Sequence, residues 1–142
     1  MIIKTEKHNN LYCNYNRKGS PCYYLNFPML QKYLENPAFD DADWLGFYDE
    51  KCEYGLAYAV CIDDLEIENA LHISAFEVAK PIRRKGYGKK VLNELINLAK
   101  ETNYSYITLR VASPDLKDFY RKFGFVDWAN CQFPDSSMIK RL

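Results

Sequence analysis

Residues 78 to 89 read Val78-Ala79-Lys80-Pro81-Ile82-Arg83-Arg84-Lys85-Gly86-Tyr87-Gly88-Lys89. A strand pattern ends there, a basic glycine-containing loop follows, and a helical pattern begins. Glycines at a helix start let backbone N–H groups approach an anion closely, and the helix dipole adds partial positive charge at the same point. Arg83, Arg84, Lys85 and Lys89 contribute full charges. Together these features fit a cradle for a pyrophosphate. Two other phosphate-binding patterns, GxxxxGK[ST] and GxGxxG, do not occur. The same residues also suit a solvated basic turn whose glycines only shape the strand-to-helix join.

Arg83-x-x-Gly86-x-Gly88 resembles the acyl-CoA pyrophosphate loop of the GNAT superfamily of N-acetyltransferases, which reads Arg/Gln-x-x-Gly-x-Gly/Ala. That superfamily has a hydrophobic strand residue five positions before the Arg, here Val78. It also has an aromatic-Tyr helix running into Gly-Phe, and Phe119-Tyr120-Arg121-Lys122-Phe123-Gly124-Phe125 is similar to it. Met138–Leu142 looks like the family's last strand, so the resemblance covers about residues 43–142.

The resemblance implies transfer of an acetyl group from acetyl-CoA, a cosubstrate, to an amine, with no metal. CoA would bind where two strands, here 70–79 and 104–111, splay apart. The main chain of Val78 would pair with the pantetheine arm. The N–H groups of Arg84, Lys85, Gly86, Tyr87, Gly88 and Lys89 would hold the pyrophosphate, beside Arg83. Ser113 stands where the family often has Asn, seven residues before Tyr120, and is the matching cosubstrate-binding candidate.

Chemistry then assigns roles. An amine attacks a thioester only when neutral, so a proton must leave it. His72 lies where some family members carry a catalytic glutamate, and an imidazole suits a base. Glu77 is the other candidate, on the opposite strand face, and a water chain is the third route. The oxyanion needs a donor, for which a strand N–H near Phe76 is suitable. The leaving thiolate needs an acid, and Tyr120 is the family's usual residue. Leu116, Phe119 and Phe123 share its helical stripe, so a purely structural role for Tyr120 also fits the pattern.

These residues need elements to hold them. Residues 28–36 read as a short amphipathic helix, with Pro28 in its first turn, Met29, Leu30, Tyr33 and Leu34 on one side, and Pro37 as its stop. Trp44–Tyr48 and Tyr54–Cys61 flank a polar turn, a hairpin pattern. A second polar turn, Asp63–Asn69, leads to the strand Ala70–Ala79. Period-2 alternation puts His72, Ser74, Phe76 and Val78 on one face and Leu71, Ile73, Ala75 and Glu77 on the other. Residues 86–101 form the clearest helix, with Val91, Leu92, Leu95, Ile96 and Ala99 as its stripe. Tyr104–Val111 is a strand, Ser113-Pro114-Asp115 starts a helix that Gly124 stops, and Phe125–Trp128 pairs with Met138–Leu142. Met1–Lys4 fits an edge strand, and Asn14–Pro21 reads as loop. The sum is a mixed α/β (α+β) chain with helices over a largely antiparallel sheet, matching the GNAT-like acyl-CoA N-acyltransferase fold.

The chain has 142 residues, with 19 Lys+Arg against 19 Asp+Glu. That length predicts one domain over residues 1–142, and 48% hydrophobic residues suffice for a core. Zero net charge argues against a general nucleic-acid binder. The charges are segregated, however. Residues 34–79 carry twelve acids against Lys51, and residues 80–100 carry seven bases against Glu94. Glu35, Asp40, Asp41 and Asp43 fit an acceptor wall that attracts a cationic amine in a small molecule or peptide. Asp49, Glu50, Asp63 and Asp64 read as solvated turn residues. Five cysteines without a CxxC pair argue against a disulfide framework or structural zinc. The first residues lack a signal-peptide pattern, and no stretch is long enough to span a membrane. A cytosolic monomer or homodimer without membrane partners is the expectation. A GNAT-like CoA-binding or protein-interaction module without catalysis is the second reading, since RxxGxG and Tyr120 are both intact.

Overall fold

The computed structural model describes residues 1–6, 27–50 and 55–142. The loop expected at 14–21, His8, and Cys13, Cys22 and Cys52 lie outside the described residues, as does most of the first polar turn. The strands are β1 (Ile2–Glu6), β2 (Asp43–Tyr48), β3 (Gly55–Asp63), β4 (Ala70–Val78), β5 (Tyr106–Arg110), β6 (Val126–Asp127) and β7 (Ser137–Arg141). The helices are α1 (Leu30–Leu34), α2 (Tyr87–Glu101) and α3 (Leu116–Arg121), with 3-10 turns at Pro37–Phe39 and Lys80–Ile82. The strands form one seven-stranded sheet in the order β1-β2-β3-β4-β5-β7-β6. Pairs β1–β2, β2–β3, β5–β7 and β6–β7 are antiparallel, and β4–β5 is parallel. The mixed, mostly antiparallel architecture agrees with the sequence. The terminal strand falls at the sheet edge, as expected, and ends two residues beyond the expected Met1–Lys4.

Packing divides the chain into two compact units. The first is Met1–Cys61 with Ala75–Asn93, and the second is Ile62–Ser74 with Glu94–Leu142. The core of the first unit is aromatic. Phe27, Trp44, Tyr48 and Tyr58 are buried with Leu30, Leu34, Val60, Ala75 and Ala79. Trp44 stacks on Tyr58 at 6.1 Å, and Phe27 meets the edge of Tyr58 at 5.4 Å. This explains why α1 is a helix despite its five residues. Leu30 and Leu34, four apart, drop into that core while Gln31 and Lys32 stay in solvent. The helix is shorter than the expected 28–36 at both ends, with Met29 as its N-cap and Glu35 as its C-cap.

In α2 the whole expected stripe is buried: Val91, Leu92, Leu95 and Ala99 fully and Ile96 nearly so. Burying such side chains contributes about 1.5–3 kcal/mol each, so packing holds this helix. β4 alternates in burial as its sequence requires, with Leu71, Ile73, Ala75 and Glu77 buried and His72, Ser74, Phe76 and Val78 half-buried. Its parallel register with β5 joins Ala70–Ile73 to Tyr106–Leu109.

The second unit corrects one expectation. Ser113 does not cap α3, and Pro114 is not its first residue. The amides of Leu116 and Lys117 bond to the carbonyls of Ser113 and Pro114, a tight turn, and α3 starts only at Leu116, with Asp115 at its N-cap and no side-chain cap. None of its residues is fully buried. It ends at Arg121, with Lys122 as its C-cap, before Gly124, whose φ of 89° needs glycine. The closing β6–β7 hairpin forms as expected. Among the described residues no helix is long and apolar enough to cross a membrane, and Cys61 and Cys131 are free thiols.

Candidate functional site

The basic turn joins β4 to α2. Ala79 leaves the strand with its amide on the Leu56 carbonyl, and the 3-10 turn follows. Arg83, Arg84, Lys85 and Gly86 form an exposed turn ahead of Tyr87, the first residue of the fifteen-residue α2. Arg84 (φ 62°) and Gly86 (φ 85°) are both left-handed. A β-carbon at Gly86 would meet no atom within 4 Å, so the backbone there is open to approach. Left-handed residues within an exposed turn are one ingredient of the backbone concavities that bind anions. Lys85 and Lys89 are exposed, and Lys90 lies over the Tyr87 ring at 5.2 Å.

Arg83 behaves differently from its neighbours. Its guanidinium turns back to Glu77 Oε2 at 3.0 Å, and its Nε donates to the Val78 carbonyl at 2.9 Å. Its charge therefore serves Glu77, and the Val78 carbonyl already accepts one bond. Glu77 is buried at 8% exposure. Its Oε1 accepts from Tyr58 Oη at 2.6 Å, and its Oε2 also accepts from the Met29 amide at 3.3 Å. Burial raises the carboxyl above the usual range, while the bonds from Tyr58, Met29 and Arg83 pull it back. The second candidate base is thus a carboxylate already gripped by three donors. A solvent-open cavity of about 460 Å³ borders it, lined by Pro28, Met29, Tyr33, Phe76, Glu77, Val78 and Arg83. Glu35, Asp40, Asp41 and Asp43 are exposed, and none lines this cavity. Burial and the nearby Glu77 charge raise the Tyr33 phenol.

In the second unit, His72 faces Thr108 across the β4–β5 register. His72 Nδ1 lies 2.9 Å from Thr108 Oγ1, and that hydroxyl donates to Asp64 Oδ2 at 2.6 Å. Asp64 Oδ1 accepts from the amides of Glu66 and Ile67. Desolvation lowers the His72 pKa, opposed by Asp64 and Glu66 and assisted by Arg110. Here a sequence expectation fails. Asp64 is no solvated turn residue, since its side chain is only 7% exposed. Thr108, fully buried, was not singled out at all. The available signal was a hydroxyl in the middle of the apolar strand segment Ile107-Thr108-Leu109.

Tyr120 sits in an aromatic group, 5.1 Å from Phe119 and 5.7 Å from Phe125. Burial raises its phenol, and its hydroxyl has no protein partner among the described residues. Ser113 is exposed.

Comparison with known proteins decides the family. Residues 12–125 match the model of the acetyltransferase (GNAT) family. The chain belongs to the GNAT acetyltransferase family. It is 32% identical over 95 residues to zebrafish (Danio rerio) N-alpha-acetyltransferase 50, a match spanning 56% of each chain, so the chain covers about half of that curated relative. The fold is similar to that of PaiA N-acetyltransferase from Thermoplasma acidophilum, solved with coenzyme A, with a TM-score of 0.63 at 16% identity over all of both chains. It is similar also to a GNAT acetyltransferase from Staphylococcus aureus Mu50, with a TM-score of 0.61 at 18% identity over 99% of this chain and 98% of that one. In this GNAT chain the loop motif lies between a strand, β4, and a helix, α2.

Proposed function

We propose that this chain is an acetyl-CoA-dependent N-acetyltransferase whose acceptor is the free α-amino group of a peptide. The observation that carries the reading is the exposed turn of Arg84, Lys85 and Gly86, with two left-handed residues, at the head of a long buried-face helix. Backbone N–H groups at a helix start, the helix dipole and lysine charge are the features that would favour CoA's pyrophosphate there. The family match and the CoA complex of PaiA agree with it. The name of the zebrafish relative supports an α-amine over other amines.

Acetyl-CoA supplies the thioester-activated acetyl group. This chain's residues then handle the protons. The amine nitrogen forms its bond to the acetyl carbon and the carbon–sulfur bond breaks. His72 takes the proton that the amine must lose, and Tyr120 gives one to the departing sulfur. Lowered by burial, His72 is a neutral acceptor at pH 7, and Tyr120, raised by burial, remains a protonated donor. Glu77 holds Arg83 and the α1 end in place and is not the base.

The test is a melting curve with and without saturating acetyl-CoA, followed by a thiol-release assay. Peptides with a free α-amine are compared with the same peptides blocked at the α-amine and carrying a lysine, and with spermidine. A raised melting temperature and turnover on the free α-amine support the reading. No thermal shift overturns it, and turnover confined to lysine or spermidine overturns the acceptor.

A further inference from the structure

The proposed reaction asks His72 to present a lone pair, and an imidazole has two nitrogens that could carry it. The surroundings choose between them. Thr108 has one hydroxyl proton, and it points to Asp64 Oδ2 at 2.6 Å. Toward His72 Nδ1, 2.9 Å away, the hydroxyl oxygen can then only accept. Asp64 Oδ2 is itself 3.5 Å from Nδ1 and is also an acceptor. Both groups facing Nδ1 therefore call for a proton on it. The carboxylate cannot swing away, because its other oxygen is held by the Glu66 and Ile67 amides at 2.8 and 3.1 Å. Glu66 is in turn fixed through both its oxygens by the Gln132 amide.

We infer that Asp64 and Thr108 are positioning residues that lock neutral His72 as the Nδ1–H tautomer and leave Nε2 as the proton acceptor. This rests on the reading of His72 as the base. The chain runs Asp64, Thr108, His72, with every hydrogen bond pointing toward the carboxylate. When Nε2 takes the amine proton, the resulting imidazolium keeps its Nδ1–H bond, and Asp64 offsets its charge through Thr108. No proton moves along the chain. The charged groups around the ring are Asp64 and Glu66, which favour the imidazolium, and Arg110, which opposes it.

One substitution should reverse the chain. In Asp64→Asn the amide oxygen keeps the two turn amides, so the NH2 faces Thr108. Thr108 must then accept from it and donate to Nδ1, which moves the ring proton to Nε2. The chain has only two histidines, so nitrogen NMR of 15N-histidine-labelled protein reads His72 directly once a His8→Gln variant assigns the other. The expected result is a protonated Nδ1 in wild type and in Thr108→Ser. Asp64→Asn is expected to show a protonated Nε2, with kcat down about 100-fold or more and the KM for acetyl-CoA little changed. Thr108→Val is expected to lose the fixed tautomer, and the acetyl-CoA thermal shift checks that each variant is folded. A protonated Nε2 in wild type, or an unmoved proton in folded Asp64→Asn, overturns the inference whatever the activity. Full turnover in His72→Gln overturns the base reading instead, and with it the catalytic use of the chain, whatever tautomer NMR reads.

Discussion

Arg83 reaches back over the end of β4 to place its guanidinium 3.0 Å from the Glu77 carboxylate. The pair is asymmetric, with the Arg83 side chain 43% exposed and that of Glu77 8%. Removing the acid leaves a cation that water can solvate. Removing the base leaves a buried carboxylate whose pKa burial already raises. Arg83→Met is therefore expected to destabilise the fold by about 1–3 kcal/mol at pH 8, read from urea denaturation. The sign follows from the raised pKa, since a carboxyl that resists ionising in the folded state costs stability as pH rises through that value. The deficit should shrink toward pH 4, and Arg83→Met/Glu77→Gln should lose the pH dependence. A deficit that grows on acidification would refute this account.

Gly86 tests the turn. Space is not the constraint, because a β-carbon there meets nothing, but a φ of 85° disfavours any L side chain. Gly86→Ala is expected to cost about 1–2 kcal/mol and to pull the turn toward ordinary backbone. Acetyl-CoA affinity should fall more than stability does, measured by calorimetry beside thermal melting. Unchanged affinity would mean that the N–H groups of this turn do not hold the ligand.

Tyr120 separates chemistry from packing. Its ring is held by Phe119 and Phe125, but its hydroxyl has no partner among the described residues. Tyr120→Phe is therefore expected to change stability by less than about 0.5 kcal/mol. Its turnover should fall about 100-fold with the acetyl-CoA thermal shift retained. Normal turnover would remove Tyr120 from the mechanism.

The features legible in the sequence were those set by local period. The stripe of Val91, Leu92, Leu95, Ile96 and Ala99 follows from 3.6-residue spacing, and the opposite faces of His72 and Glu77 follow from alternation. The loop motif was legible because glycine and charge act within a few residues of one another. Ser113-Pro114 misled because its local capping pattern lost to a tight turn that delays α3 to Leu116. Asp64 misled for another reason. Its role depends on Thr108, 44 residues away, and on a strand register that no local pattern specifies. The tie between Arg83 and Glu77 was hidden likewise, since a basic loop pattern does not say which cation turns inward.

His72 supplies the pH prediction. Desolvation and Arg110 lower its pKa against the pull of Asp64 and Glu66. Around and below its ordinary value of about 6.5 the unfolded chain then binds more protons than the folded one, so stability rises with pH across that window. His72→Gln removes this dependence. The stability difference between wild type and variant should therefore move against wild type as pH falls from 8 to 5, in urea titrations at each pH. The kcat profile should rise on an apparent pKa below 6.5 for the same reason, because the neutral ring is the proton acceptor. Asp64→Asn, which removes a neighbour that raises the pKa, should shift that inflection further toward acid. A shift toward alkali would show that Asp64 does not act on the ring electrostatically, and a flat profile in wild type would place the rate-limiting proton elsewhere.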